Sequence, residues 1–158
     1  MCKKIILWIL VILCMSLIFG FSAQEATESD QTSTSFMSMI IRFFDADNSL
    51  DDETVSQIAE SLNHIVRKGA HFSIYAVLGG LIFLLIRQYR SGFLNPLINS
   101  VLLSMLYACS DELHQIFVPG RAGRISDVLI DTAGALCGAG VLLLIIFIFQ
   151  SKKNLNKI

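Results

Sequence analysis

The stretch Val128–Phe149, VLIDTAGALCGAGVLLLIIFIF, carries a single charge, Asp131, close to its start. Crossing ~30 Å of hydrocarbon takes about 20 residues of helix, with a usable range of roughly 17–25. A run this long and this apolar reads as a membrane-spanning helix, and the rest of the chain is judged against it. Two further stretches are comparable. Gly69–Ile86 has only His71 titratable, and Ile5–Phe21 has no charge at all. Pro96–Ser110 is uncharged but shorter than these. It reaches spanning length only if Asp111 and Glu112 lie at one end. The expected fold is all-α: an integral bundle of four transmembrane helices at about 5–22, 69–86, 96–113 and 127–149. An acidic extracellular loop, 24–68, is expected to end in an amphipathic helix before the second span.

Whole-chain composition agrees. Of 158 residues, 54% are hydrophobic and 16% charged, and mean hydropathy is +0.64; a soluble domain has about 45–50% and 25%. A net charge of −1 gives no long-range attraction to nucleic acid. Cys2, Cys14, Cys109 and Cys137 lie in or beside the spans and read as small apolar packing, with no disulfide implied.

The first span could be a cleaved signal peptide, since Lys3 and Lys4 suit its charged start. Its apolar run is longer than the usual ~7–15 residues, and Phe21-Ser22-Ala23 matches a cleavage site poorly. A retained anchor is expected. In the loop, the Ser/Thr/Glu-rich tract Gln24–Ser35 is expected to be mobile. Phe36–Phe44 is too short to span and suits the membrane interface or packing under the loop. Asp45–Glu53 has the acidic spacing of a calcium loop, but Leu50 and Ser56 stand where that loop needs Gly and Glu. A solvated acidic loop fits better. Thr54 with Gln57 reads as a capping box. Val55, Ile58, Leu62 and Ile65 then recur at helical spacing into the second span.

Lys/Arg bias sets orientation. With the N-terminus cytoplasmic, Lys3, Lys4, Arg87, Arg90, Lys152, Lys153 and Lys157 fall inside, seven in all. Arg42, Arg67, Lys68, Arg121 and Arg124 fall outside, five in all. Both termini are therefore expected in the cytoplasm. All thirteen acids and all three His then lie at the outer face. Basic residues held there against the usual bias point to pairing with the acids or to contact with an anionic ligand.

Three span ends bring titratable groups to this face. His64, Lys68, His71 and Tyr75 share a stripe on the second helix. Ser104, Tyr107, Asp111 and His114 share one on the third, flanked by Glu112 and Gln115. A turn at Pro119-Gly120 follows. Asp127 and Asp131 then lie on one side of the fourth helix, continued by Gly134 and Gly138, whose G-x-x-x-G spacing allows close contact in lipid. Intramembrane charges face the bundle interior and pair, so structural ion pairing of Lys68, Arg121 and Arg124 with the acids is one explanation. A binding or reaction site is the other. His71, Asp111, Glu112 and His114 are competent metal ligands, but no spacing matches H-E-x-x-H or a Cys-based zinc site. No metal or cofactor is expected. Glu112, His114 and Asp127 are the candidates for acid–base catalysis, with Ser110 and Tyr107 as nucleophiles by proximity alone.

Three stretches carry a resemblance. RKGAHFSIY, Arg67–Tyr75, resembles the second-helix motif of the VanZ-like family. SDELHQIFVPGR, Ser110–Arg121, followed by Asp127, Asp131 and Gly134, resembles its main signature. Phe21-Ser22-Ala23-Gln24 resembles the family's first-helix ending, with Ala23 in place of Ser. The resemblance covers nearly all of 1–158 except the acidic loop. It implies one VanZ-like domain in a bacterial plasma membrane and a role in teicoplanin (glycopeptide) resistance, without naming a reaction. It also implies the functional set Lys68, His71, Asp111, Glu112, His114, Gln115, Arg121, Asp127 and Asp131. The expected partners are membrane lipid and an anionic lipid-linked envelope molecule or the glycopeptide, and no nucleic acid. Three functions compete: an outward-facing binding pocket, an intramembrane transferase or hydrolase acting on an envelope lipid or surface polymer, and a structural or partner-binding protein.

Overall fold

In the computed structural model, residues 2–45, 47, 49–90 and 92–155 are described, and they form five α-helices. These are α1 (Cys2–Ser22), α2 (Ala26–Phe44), α3 (Asp52–Ile86), α4 (Leu94–Gln115) and α5 (Ile125–Leu155). Lys157 lies outside the described residues, as do Ala46 and Asn48 of the acidic segment. Among the described residues, three helices are long and apolar enough to cross a membrane: α1, α3 and, over Ile125–Lys153, α5. The chain is thus a multi-pass membrane protein. Helix α4 covers the expected third span but falls short of this combined standard of length and apolarity.

The bundle is built on α3 and α5, its most extensive pairing. Small residues make that pairing possible. A Cβ on Gly79 would meet the Ala135 backbone, one on Gly134 the Phe72 carbonyl, and one on Gly138 the Ala76 carbonyl. Without a hydrophobic drive between helices in lipid, such close approach supplies the dispersion contacts that hold them. Around this seam, Tyr75, Leu78, Ile82 and Leu85 of α3 pack with Val11, Cys14 and Ile18 of α1 and Ala108 of α4. Large apolar side chains such as Ile9, Ile12, Leu102, Leu106, Leu136 and Ile145 point outward. That pattern suits lipid.

The bundle has two distinct ends. At one, Lys4 sits over the Tyr89 ring at 4.2 Å and Trp8 donates to the Tyr89 hydroxyl at 3.2 Å. There too Phe93, at the start of α4, meets Phe147 near the end of α5, with ring centroids 6.2 Å apart. At the other end the finish of α1, the finish of α4, the α4–α5 connection and the start of α5 converge.

Segment 24–68 departs from the expected loop. The Ser/Thr-rich tract is helical, as the first half of α2. Its hydroxyls turn back on the helix: Thr32 donates to the Glu28 carbonyl at 2.9 Å and Ser33 to that of Ser29 at 3.0 Å. Ser29 is buried, and Val55 and Ala59 of α3 are buried as well, where α2 packs along α3. Tertiary packing therefore overrides a composition that favours disorder. Phe36–Phe44 is the second half of the same helix and does not span. The amphipathic segment before the second span is continuous with it, one helix of 35 residues and about 52 Å. Its N-cap is Asp51, which accepts from the Thr54 amide at 3.1 Å. Thr54 is therefore inside the helix, not its cap. Asp45 accepts from the Ser49 and Leu50 amides at 3.0 and 3.1 Å. Arg42 reaches the Leu50 carbonyl at 2.7 Å and the carboxylate of Asp52. These bonds fix the α2–α3 turn, and they leave the Asp45 carboxylate engaged with the chain itself.

Candidate functional site

The Pro119-Gly120 turn shapes the site. Gly120 has φ +74°, and the Arg121 amide donates to the Val118 carbonyl at 3.1 Å. Pro at the second place and a positive-φ Gly at the third make a type II turn. The turn aims Arg121 back at the end of α1. There its Nε donates to the Gln24 carbonyl at 2.9 Å and Nη2 to that of Phe21 at 3.2 Å. Nη1 reaches the Gln115 side-chain oxygen at 3.5 Å. Burial, and Arg67 beside it, pull the Arg121 guanidinium below its ordinary value, though arginine stays charged at any working pH.

On α3, Lys68 pairs with Asp127 of α5 at 3.1 Å. One turn deeper, His71 Nδ1 lies 3.6 Å from Asp131 Oδ1. Asp131 is fully buried, and Asp111 is 3% exposed. Gln115 donates to Asp111 Oδ2 at 3.2 Å. Glu112 accepts from the Arg124 amide at 2.7 Å, which ties the end of α4 to the start of α5.

The expected stripes need correcting. The inward face of α4 is Ser100, Ser104, Ala108, Asp111, Glu112 and Gln115, so Glu112 and Gln115 are central where flanking positions were expected. His114 lies to one side and stacks on Phe19, with centroids 4.7 Å apart. Tyr107 reaches across to α1 and donates to the Met15 carbonyl at 2.7 Å. Ser110 is exposed and donates to the Tyr107 carbonyl at 2.7 Å. His64 is exposed and stays out of the cluster. Lys68, His71, Asp111, Gln115, Arg121, Asp127 and Asp131 come together, with Glu112 behind them.

Two cavities open here. The first, about 100 Å³, is polar: Arg67, Lys68, His71, Arg121, Arg124, Asp127 and Asp131 all line it. The second, about 520 Å³, lies between α1, α2 and α3 and is walled by Ile18, Phe21, Phe36, Val66 and Ile74. Arg67, His71 and Arg121 line both. Arg67 is the member the sequence reading passed over. It precedes His71 by four residues, so helical spacing alone would have placed it on that face. Its partner is Asp30 of α2 at 2.8 Å, and no local pattern signals that contact.

The VanZ/LLP1 family model matches residues 7–149. No curated protein and no solved structure matches the chain.

Proposed function

The chain belongs to the VanZ/LLP1 family, and from that premise we propose that it is a plasma-membrane protein whose outer face binds the anionic headgroup of a lipid-linked envelope molecule. The observation that carries this reading is the junction of the two cavities. Four basic side chains line the polar chamber, and three residues are shared with an apolar cavity several times larger. A headgroup in the first and an acyl or prenyl chain in the second would suit one amphiphile. Arg121 has no carboxylate within ion-pair distance among the described residues. Its Nε and both Nη atoms each hold one protein oxygen, and the second N–H on each Nη is what it offers a phosphate or carboxylate as a charge-assisted donor.

In this reading α1, α3, α4 and α5 all cross the bilayer, and both termini are cytoplasmic. Helix α4 runs between the same two bundle ends as its neighbours, and its 22 residues span about 33 Å. Ser100 and Ser104 are fully buried, while Leu102, Leu103 and Leu106 face outward. The polarity that lowers its hydropathy is thus hidden from lipid. The seven-to-five Lys/Arg bias orients the cavities outward. Sequestering or presenting such a molecule would lower the effect of teicoplanin at its target.

The test pairs binding with phenotype. Purified protein in micelles is titrated with a polyprenyl phosphate and, separately, with inorganic phosphate. Arg121→Gln and Lys68→Gln are expected to weaken the lipid phosphate about tenfold or more, as losing a charged hydrogen bond does. The same variants should abolish teicoplanin resistance at unchanged membrane abundance. Equal affinity for both phosphates would remove the role of the apolar cavity. Full resistance in both variants would refute the binding reading. A chemically altered headgroup on the recovered lipid would replace it with the transferase or hydrolase reading.

A further inference from the structure

We propose that His71, Asp111 and Asp131 form a divalent-cation site at the floor of the polar chamber. They come from three helices, and one ligand-competent atom of each lies within 4.8 Å of the other two. The His71 Nδ1 to Asp131 Oδ1 distance of 3.6 Å is near the ~3.3–3.5 Å edge separating ligands held at about 2.0–2.2 Å around a tetrahedral zinc ion. Proximity is one observation; the lack of hydrogen bonding is a second. Both oxygens of Asp131, Oδ1 of Asp111 and Nδ1 of His71 are buried without a hydrogen-bond partner among the described residues. The Tyr75 hydroxyl, one turn further along α3, is fully buried and without a partner as well.

Two carboxylates in a bundle core demand compensation, because an unpaired buried charge is among the most costly features a fold can hold. No Lys or Arg among the described residues pairs with Asp111 or Asp131. Lys68 is with Asp127, Arg67 with Asp30, and Arg121 with backbone carbonyls. One imidazole cannot neutralise two acids. A divalent cation can, and it would use the unsatisfied atoms as ligands. One nitrogen and two carboxylates suit a first-row ion such as zinc or manganese better than calcium, which takes oxygen donors. His71 and Asp131 also line the polar chamber, which gives the ion a way in. The absence of a local motif is no objection, since the three ligands are far apart in sequence and meet only in the bundle. The site does not depend on the lipid reading: a cation can bind whether or not an amphiphile occupies the cavities above it.

The test uses the full chain in micelles, stripped with chelator and titrated with zinc chloride by calorimetry and thermal unfolding. We expect about one ion per chain and a rise in Tm on binding. Asp131→Asn and His71→Gln should each weaken zinc at least about tenfold, and Glu60→Gln, on the exposed side of α3, should leave it unchanged. Cobalt added to the wild type should give visible absorption bands of a nitrogen–oxygen site, a readout that needs no variant to fold. Absence of both saturable zinc and saturable cobalt binding by the wild type would overturn the proposal. So would zinc binding that survives intact in both variants.

Discussion

At the scale of single residues, the side chains at the end of the bundle that holds the cavities include some engaged with backbone and some left unsatisfied. Glu112 is engaged through one oxygen only, its Oε1 being buried without a hydrogen-bond partner among the described residues. As a carboxylate beside a histidine it reads as a general base, yet one of its oxygens holds the Arg124 amide. Glu112→Gln keeps an acceptor in place and should retain both fold and resistance. Glu112→Ala should cost about 1–3 kcal/mol, the range for orphaning a buried hydrogen-bond partner. Thermal unfolding in micelles, read beside resistance, checks this, and loss of resistance in a stably folded Gln variant would restore the catalytic reading. Asp51 acts locally at the start of α3. Hydrogen bonding from the Thr54 side chain and then its amide holds its carboxyl below the ordinary value. A carboxyl depressed in the folded state stabilises above its unfolded value, and that stability is lost as pH falls through the folded one. Protection factors of the amides in the first turn of α3, after division by intrinsic exchange rates, should therefore fall as pH drops below about 4, and Asp51→Asn should flatten this dependence.

At the scale of elements, the α3–α5 seam bears the most strain-sensitive packing. Gly138→Leu would drive a side chain into the Ala76 carbonyl. Overpacking of this kind costs about 1–3 kcal/mol or more. Gly140 lies just beyond, with nothing within 4 Å of where a Cβ would stand, so Gly140→Ala should be neutral or raise stability by up to about 1 kcal/mol. Thermal unfolding of the two variants side by side tests whether the seam, rather than glycine content, holds the helices together. Helix α2 makes a different point. Its hydroxyl-rich first half folds because α3 offers it a surface, while Phe36, Met39, Phe43 and Phe44 remain exposed on its second half.

At the scale of the whole molecule, topology decides which compartment the cavities face. Ala122 and Gln88 are both exposed and belong to opposite ends of the bundle. In a background without native cysteines, Ala122→Cys should react with an impermeant thiol reagent from outside the cell, and Gln88→Cys only after permeabilisation. Gly123 is unsuited to such a probe, because a Cβ there would approach the Glu112 carbonyl at 2.5 Å and Ile116 at 2.9 Å. Labelling of both positions from the same side would contradict the four-crossing arrangement. Three of the four expected spans, α1, α3 and α5, were legible in the sequence, since the hydropathy of a spanning stretch is a local property that lipid enforces directly. So was the close contact at Gly134 and Gly138, which follows from helical spacing, whereas which acid Lys68 meets was not. The helical course of 26–44 was not legible, because its composition argues against order and only contact with α3 reverses it. Nor was the meeting of His71, Asp111 and Asp131. Sequence by itself determined an all-α membrane bundle and put Lys68 and His71 on one face of α3 and Asp127 and Asp131 on one face of α5, because the helical period fixes faces without reference to partners. Tertiary structure alone decided which of those polar groups meet, since the crossing of α3, α4 and α5 sets distances between residues that no local repeat connects.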